Sequence, residues 1–153
     1  MQLISYSALG KIRLGDYVTG ELSIEESGMI GLVGLGGWES FGETYFSWRQ
    51  GEDFLTAGIS LHLAPDSMMP ADSAKRILSD VGLPVSSGMT REELIRLLGA
   101  PETVRGCARS GWFLRFVCGD PEQYFISCVV QEEEGLVTVH LARKDYCDEN
   151  AAI

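Results

Sequence analysis

The sequence predicts an α+β fold: an antiparallel or mostly antiparallel sheet of five to seven strands with two helices packed on one face. Three observations carry this expectation. Residues 71–99 hold two consecutive segments of helical period joined by a short connection. Residues 111–142 hold three alternating segments, a strand meander, separated by turns at Gly119-Asp120-Pro121 and at 132–135. Residues 38–64 hold two more extended segments around the turn Gly51-Glu52-Asp53. Short turns instead of helices join these strands, which disfavours a doubly wound parallel sheet. The length of 153 residues and the apolar fraction of 45% fit one domain over residues 1–153 with a real core.

Each element has a local reason. Residues 3–6 read as a short strand, and residues 11–26 suggest extended pieces around Gly15-Asp16. Residues 28–37 contain five glycines but match neither the dinucleotide fingerprint nor a phosphate loop. They read as a strand connection or an apolar loop. The segment WESFGETYFSWRQ forms one strand bent at Gly42, and residues 54–64 its hairpin partner. In that partner Ile59, Leu61 and Leu63 face one way while Ser60 and His62 face the other.

Ala74, Ile77, Leu78 and Val81 share one side of a helix over 71–81, which Gly82 and Pro84 stop. In the next helix Thr90 is the N-cap, Glu93 completes a capping box, and Met89 with Leu94 forms a hydrophobic staple. Leu94, Leu97 and Leu98 make its apolar stripe, Gly99 its C-terminal stop, and Pro101 bars continuation. In the meander, Trp112, Leu114, Phe116 and Cys118 alternate against Phe113, Arg115 and Val117. Tyr124, Ile126, Cys128 and Val130 do the same in the second strand, and Val137, Val139 and Leu141 oppose Thr138 and His140 in the third. The polar tail 144–153 reads as frayed, with Tyr146 and Cys147 able to pack.

Twelve basic against 22 acidic residues give a net charge of -10. Such a surface keeps a chain soluble, repels nucleic acid and anionic lipid, and attracts cationic partners. The scattered basic residues form no nucleic-acid stripe. No apolar run approaches the ~20 residues that span a bilayer, and the N-terminus lacks the pattern of a signal peptide. The expected location is therefore cytoplasmic. Cys107, Cys118, Cys128 and Cys147 form no close pair and read as free thiols.

No cofactor motif appears, and no metal spacing such as HExxH. The two histidines, His62 and His140, become neighbours if their strands pair, and with nearby carboxylates they would make a small enzyme or ligand-binding site. Cys107, in the loop CARSG, is the freest thiol for a Cys–His pair. Glu132, Glu133 and Glu134 concentrate charge at a hairpin tip. If Tyr45 or Tyr124 faces outward near acidic residues, aromatics anchor a partner while carboxylates steer it.

Residues 88–101, GMTREELIRLLGAP, resemble a segment of the SmpA/BamE-type outer-membrane assembly proteins and of β-lactamase-inhibitor-like folds. Similar segments occur in small bacterial toxin-immunity proteins. The resemblance is close over residues 88–101 and extends in outline over 71–142. It implies a capped helix followed by a strand meander. No lipidated leader cysteine is present, which argues against the outer-membrane branch, and the first 65 residues have no counterpart in these families. The leading expectation is thus a non-enzymatic bacterial interaction protein, similar to the immunity proteins, whose acidic face occludes a basic protein partner through Glu132, Glu133, Glu134, Tyr45 and Tyr124. The alternative is the small enzyme or ligand-binding domain built on His62 and His140.

Overall fold

The structure, a computed structural model, describes residues 1–9, 37–40, 43–50, 53–64, 71–107 and 110–150. The expected pieces at 11–26 and most of the glycine-rich segment 28–37 lie outside the described residues. The elements are α1 (Tyr6–Leu9), β1 (Gly37–Ser40), β2 (Glu43–Gln50), β3 (Asp53–His62), α2 (Ala71–Val81), α3 (Arg91–Leu98), β4 (Thr103–Cys107), β5 (Gly111–Cys118), β6 (Tyr124–Gln131), β7 (Gly135–Arg143) and α4 (Lys144–Asn150). The strands form one seven-stranded sheet in the order β1-β2-β3-β7-β6-β5-β4. Every pairing is antiparallel.

The order follows from the turns. Consecutive strands pair within β1–β3 and within β4–β7, as short connections require. The two groups join where β3 meets β7, with Ser60 opposite His140 and Leu61 opposite Val139.

Period-two alternation then sends one residue set to each face. Ile59, Leu61, Leu114, Phe116, Ile126, Cys128, Val139 and Leu141 are buried against Ala74, Ile77, Leu78 and Val81 of α2 and Leu94 of α3. The two expected helices thus cover one face of the sheet.

Helix α3 starts as its sequence dictates. Thr90 Oγ1 accepts a hydrogen bond from the Glu93 amide at 3.1 Å. The reciprocal half of the box takes another form, since Thr90 Oγ1 donates to Glu93 Oε1 at 3.2 Å. Gly99 ends the helix with φ of 89°, its amide donating to the Ile95 carbonyl. Leu94 is fully buried, and Ile95 and Leu98 pack beside it, whereas Leu97 is 37% exposed. The apolar stripe therefore leans toward Ile95. Replacing Thr90 with alanine is expected to cost about 1 kcal/mol of stability, read from the urea midpoint.

Four elements differ from expectation. Residues 38–50, expected as one strand bent at Gly42, hold two strands, β1 and β2, paired antiparallel with Trp38 opposite Tyr45. The segment around residues 3–6 forms no strand: Ser5 caps the single turn α1, and Leu9 is fully buried. Four residues of mixed polarity carry too little period to separate strand from helix. Residues 103–107, to which the sequence pattern assigned no element, form β4, and Cys107, expected in a loop, is its last residue. As an exposed edge strand, β4 carries no alternating burial signal. Residues 144–150 of the tail form helix α4 instead of frayed chain. Asp145 organises it by accepting from the Tyr146 amide at 2.7 Å and from Arg143 through Nε and Nη2 at 3.1 and 2.7 Å. The Lys144–Asp148 ion pair at 2.6 Å adds an i,i+4 contact.

Cys118, Cys128 and Cys147 are free thiols. Among the described residues no helix is long and apolar enough to cross a membrane.

Candidate functional site

A polar groove lies where the N-terminus of α3 meets the β6–β7 turn and the start of β5. Backbone pairing assembles it. The Gly88 amide donates to the Leu136 carbonyl at 3.1 Å, and the Leu136 amide donates to the Met89 carbonyl at 2.9 Å. The Glu132 amide donates to the Ser110 carbonyl at 3.2 Å, fixing the other wall. The result is a groove of about 520 Å³. Its walls include Arg91, Glu92, Trp112, Glu132 and Glu133.

Trp112 is the unusual member. Its neighbours on the same strand face, Leu114 and Phe116, are fully buried, yet Trp112 is 38% exposed. The Arg91 guanidinium carbon sits 4.3 Å from its ring centroid, a cation–π contact. Arg91 in turn lies 3.5 Å from the Glu92 carboxylate. Three carboxylates and one guanidinium around a half-exposed indole favour an incoming cation with an apolar stem, such as lysine or arginine.

The expected partner-binding residues separate on this map. Glu132, Glu133 and Glu134 are all exposed on the β6–β7 turn, and the first two line the groove. Tyr124 is 1% exposed, so it is a core residue instead of an outward anchor. Its hydroxyl donates to the Ile4 carbonyl, its ring meets Tyr6 edge-on at 5.0 Å, and burial pushes its pKa up. Tyr45 takes its place in β2 opposite Trp38 and Ile59, and its side chain lies outside the described residues. The exposed aromatic of the groove is Trp112, which the sequence sets in one alternating row with Leu114 and Phe116. The signal for its exposure was the glycine opposite it, Gly106, on a strand too short to cover the ring.

His62 and His140 do lie on one sheet face, because β3 and β7 pair with Ser60 opposite His140 and His62 opposite Thr138. Their surroundings differ. His62 is exposed and borders an apolar groove of about 890 Å³ between β3 and α2, whose walls do not include His140. His140 is half-buried, with Nδ1 hydrogen-bonded to Ser60 Oγ. Along this row the register continues through Ser127 to Arg115, whose guanidinium stacks 3.8 Å over Phe125. Burial lowers the His140 pKa to about 4, with the Arg115 charge acting the same way. Such an imidazole is neutral and weakly basic at neutral pH, poorly matched to general-base work. Among the described residues no cluster of His, Cys, Asp or Glu is suited to hold a metal ion.

No family model, curated protein or solved structure matches this chain.

Proposed function

We propose that this chain is a non-enzymatic, acidic protein-interaction domain that occludes a basic protein partner, an inhibitor of the immunity-protein kind. The observation that carries the reading is Trp112, half-exposed in a preformed groove rimmed by Glu92, Glu132 and Glu133. An exposed tryptophan at the centre of a charged rim has the anatomy of a binding hot spot: the ring supplies affinity and the rim supplies steering. The net charge of -10 extends that attraction beyond the groove. We place this work in the cytoplasm, where a reducing environment suits the free thiols Cys118, Cys128 and Cys147.

The test is a partner isolated from source lysate on the immobilised domain at low salt and released at high salt. Trp112→Ala is expected to weaken its binding about 30-fold or more, the loss of a hot-spot residue. The double reversal Glu132→Lys, Glu133→Lys is expected to slow association about tenfold and flatten its salt dependence. Unchanged affinity and salt slope in both variants would reject the reading.

A further inference from the structure

The groove beside Trp112 already holds a cation, and that cation comes from the chain itself. Arg91 sets its guanidinium carbon 4.3 Å from the indole centroid, and its Nη2 lies 3.5 Å from the Glu92 carboxylate. Among the described residues these are the two contacts of the guanidinium. Both are open to water: the side chain of Arg91 is 35% exposed and that of Glu92 is 66% exposed. Nothing buried locks the arginine in place.

The position of Arg91 in its helix makes this contact more telling. Arg91 is the first residue of α3. A helix N-terminus carries the positive end of the macrodipole, which favours acidic side chains, such as Glu92 and Glu93, and disfavours a cation. Helix formation therefore gives no reason for an arginine here, whereas stacking on Trp112 does. A guanidinium is planar and weakly hydrated, so it lies on an aromatic face more readily than an ammonium. The seated side chain thus shows which chemistry the ring accepts. Glu92, Glu132 and Glu133 set three carboxylates against this one guanidinium in the groove, so a further cation is still attracted to a ring that is already covered.

We propose that Arg91 is an intramolecular stand-in for an arginine of the basic partner: it covers Trp112 in the free protein, and the partner's arginine takes the ring by displacing it. This rests on the acidic-groove reading above and adds two things to it, that the recognised group is a guanidinium and that the site is self-inhibited. Displacement is easy, because Arg91 swings into water with the Glu92 carboxylate beside it. A cation–π contact this exposed holds the ring most of the time but not tightly. Competition from it lowers the apparent affinity for an incoming arginine by about three- to sixfold.

The test uses the full chain, 15N-labelled, and the acetylated, amidated peptide Lys-Gly-Arg-Gly-Lys, with Lys-Gly-Lys-Gly-Lys as the comparison of equal charge. In the wild type the ring current of Trp112 shifts the Arg91 Nε–H resonance. Saturation with the arginine peptide should return that resonance to the position of a solvated arginine. This measurement needs no variant, so it decides the matter even if Arg91→Ala is unstable. Folded Arg91→Ala should bind the arginine peptide about three- to sixfold tighter than the wild type does. The gain should persist at high salt, where the lost charge of Arg91 is screened but the vacated ring remains. The arginine peptide should bind more tightly than the lysine peptide to both proteins. If Glu132→Lys weakens peptide binding but Arg91 keeps its ring shift at saturation, or the gain of Arg91→Ala vanishes at high salt, the acidic groove stands and self-occupation is overturned. If neither protein binds the arginine peptide, self-occupation is likewise overturned, and the groove is judged by its own partner assay.

Discussion

Gly135→Ala is expected to destabilise the protein by about 4 kcal/mol or more, enough to unfold a domain of ordinary stability in part at 37 °C. Gly135 has φ of +73°, a conformation that a side chain strains. Space is the larger cost. A Cβ there would lie 2.4 Å from the Gly88 carbonyl oxygen, 2.5 Å from its carbon and 2.8 Å from its Cα. These are backbone atoms held by the Gly88–Leu136 and Leu136–Met89 hydrogen bonds, so they cannot swing aside as a flexible side chain would. Relief requires breaking the ladder that docks α3 on the β6–β7 turn, and with it the groove wall. Urea denaturation measures the effect, with Gly106→Ala as the control. Gly106 has open space at its Cβ position, so its substitution should stay within about 0.5 kcal/mol of wild type. A Gly135→Ala protein as stable as the control would contradict the packing described for this turn.

Acid should weaken the protein through His140, by up to about 3 kcal/mol. The folded state holds His140 at about 4, against 6.5 for an ordinary histidine. Between those values the unfolded chain binds a proton that the folded chain refuses, so stability falls as the pH drops from about 6.5 to 4. Above 6.5 both states are neutral and this contribution is flat. Carboxylates add their own acid dependence, so the measurement is a difference: unfolding free energies of wild type and His140→Gln at pH 7 and at pH 4.5. The variant should lose less stability than wild type across that interval. Identical losses would show that His140 titrates normally in the fold, and its NMR titration would then centre near 6.5.

The elements that sequence reading recovers well are those whose pattern and boundary signals agree. Helix α2 alternates at helical period and is closed by Gly82 and Pro84, and α3 has a capping threonine and a terminating glycine. The meander strands β5, β6 and β7 each bury most of one side of an alternation, which breaks at exposed Trp112, at buried Phe125, and in β7, where a register shift buries Leu136 instead of the expected Val137. Residues 103–107 lack that alternation because one edge and much of one face of β4 meet solvent, so burial leaves no imprint on their order. Helix α4 was hidden for a different reason: its start depends on Asp145 bridging back to Arg143, a contact between charged residues that resembles ordinary surface polarity in the sequence. The carboxylates of the candidate site were legible as a charge run, Glu132 to Glu134. Its aromatic anchor was not, because Trp112 obeys the alternation of a buried strand and is uncovered only by the bare glycine beside it. Tyr124 failed in the opposite sense, since a tyrosine near acidic residues looks exposed until Ile4 supplies a buried acceptor for its hydroxyl.

The junction of β3 with β7 also has a kinetic meaning. Strands β1 to β3 and β4 to β7 are each stitched from neighbours in sequence, so each group can close with little loss of chain entropy. Their union sets Ser60 against His140, 80 residues apart. That is the costly closure, and it makes the seam the natural barrier between two half-formed sheets and the finished one. The acid-sensitive imidazole sits on this seam. Protonating it therefore weakens the finished sheet at the junction where the two halves meet.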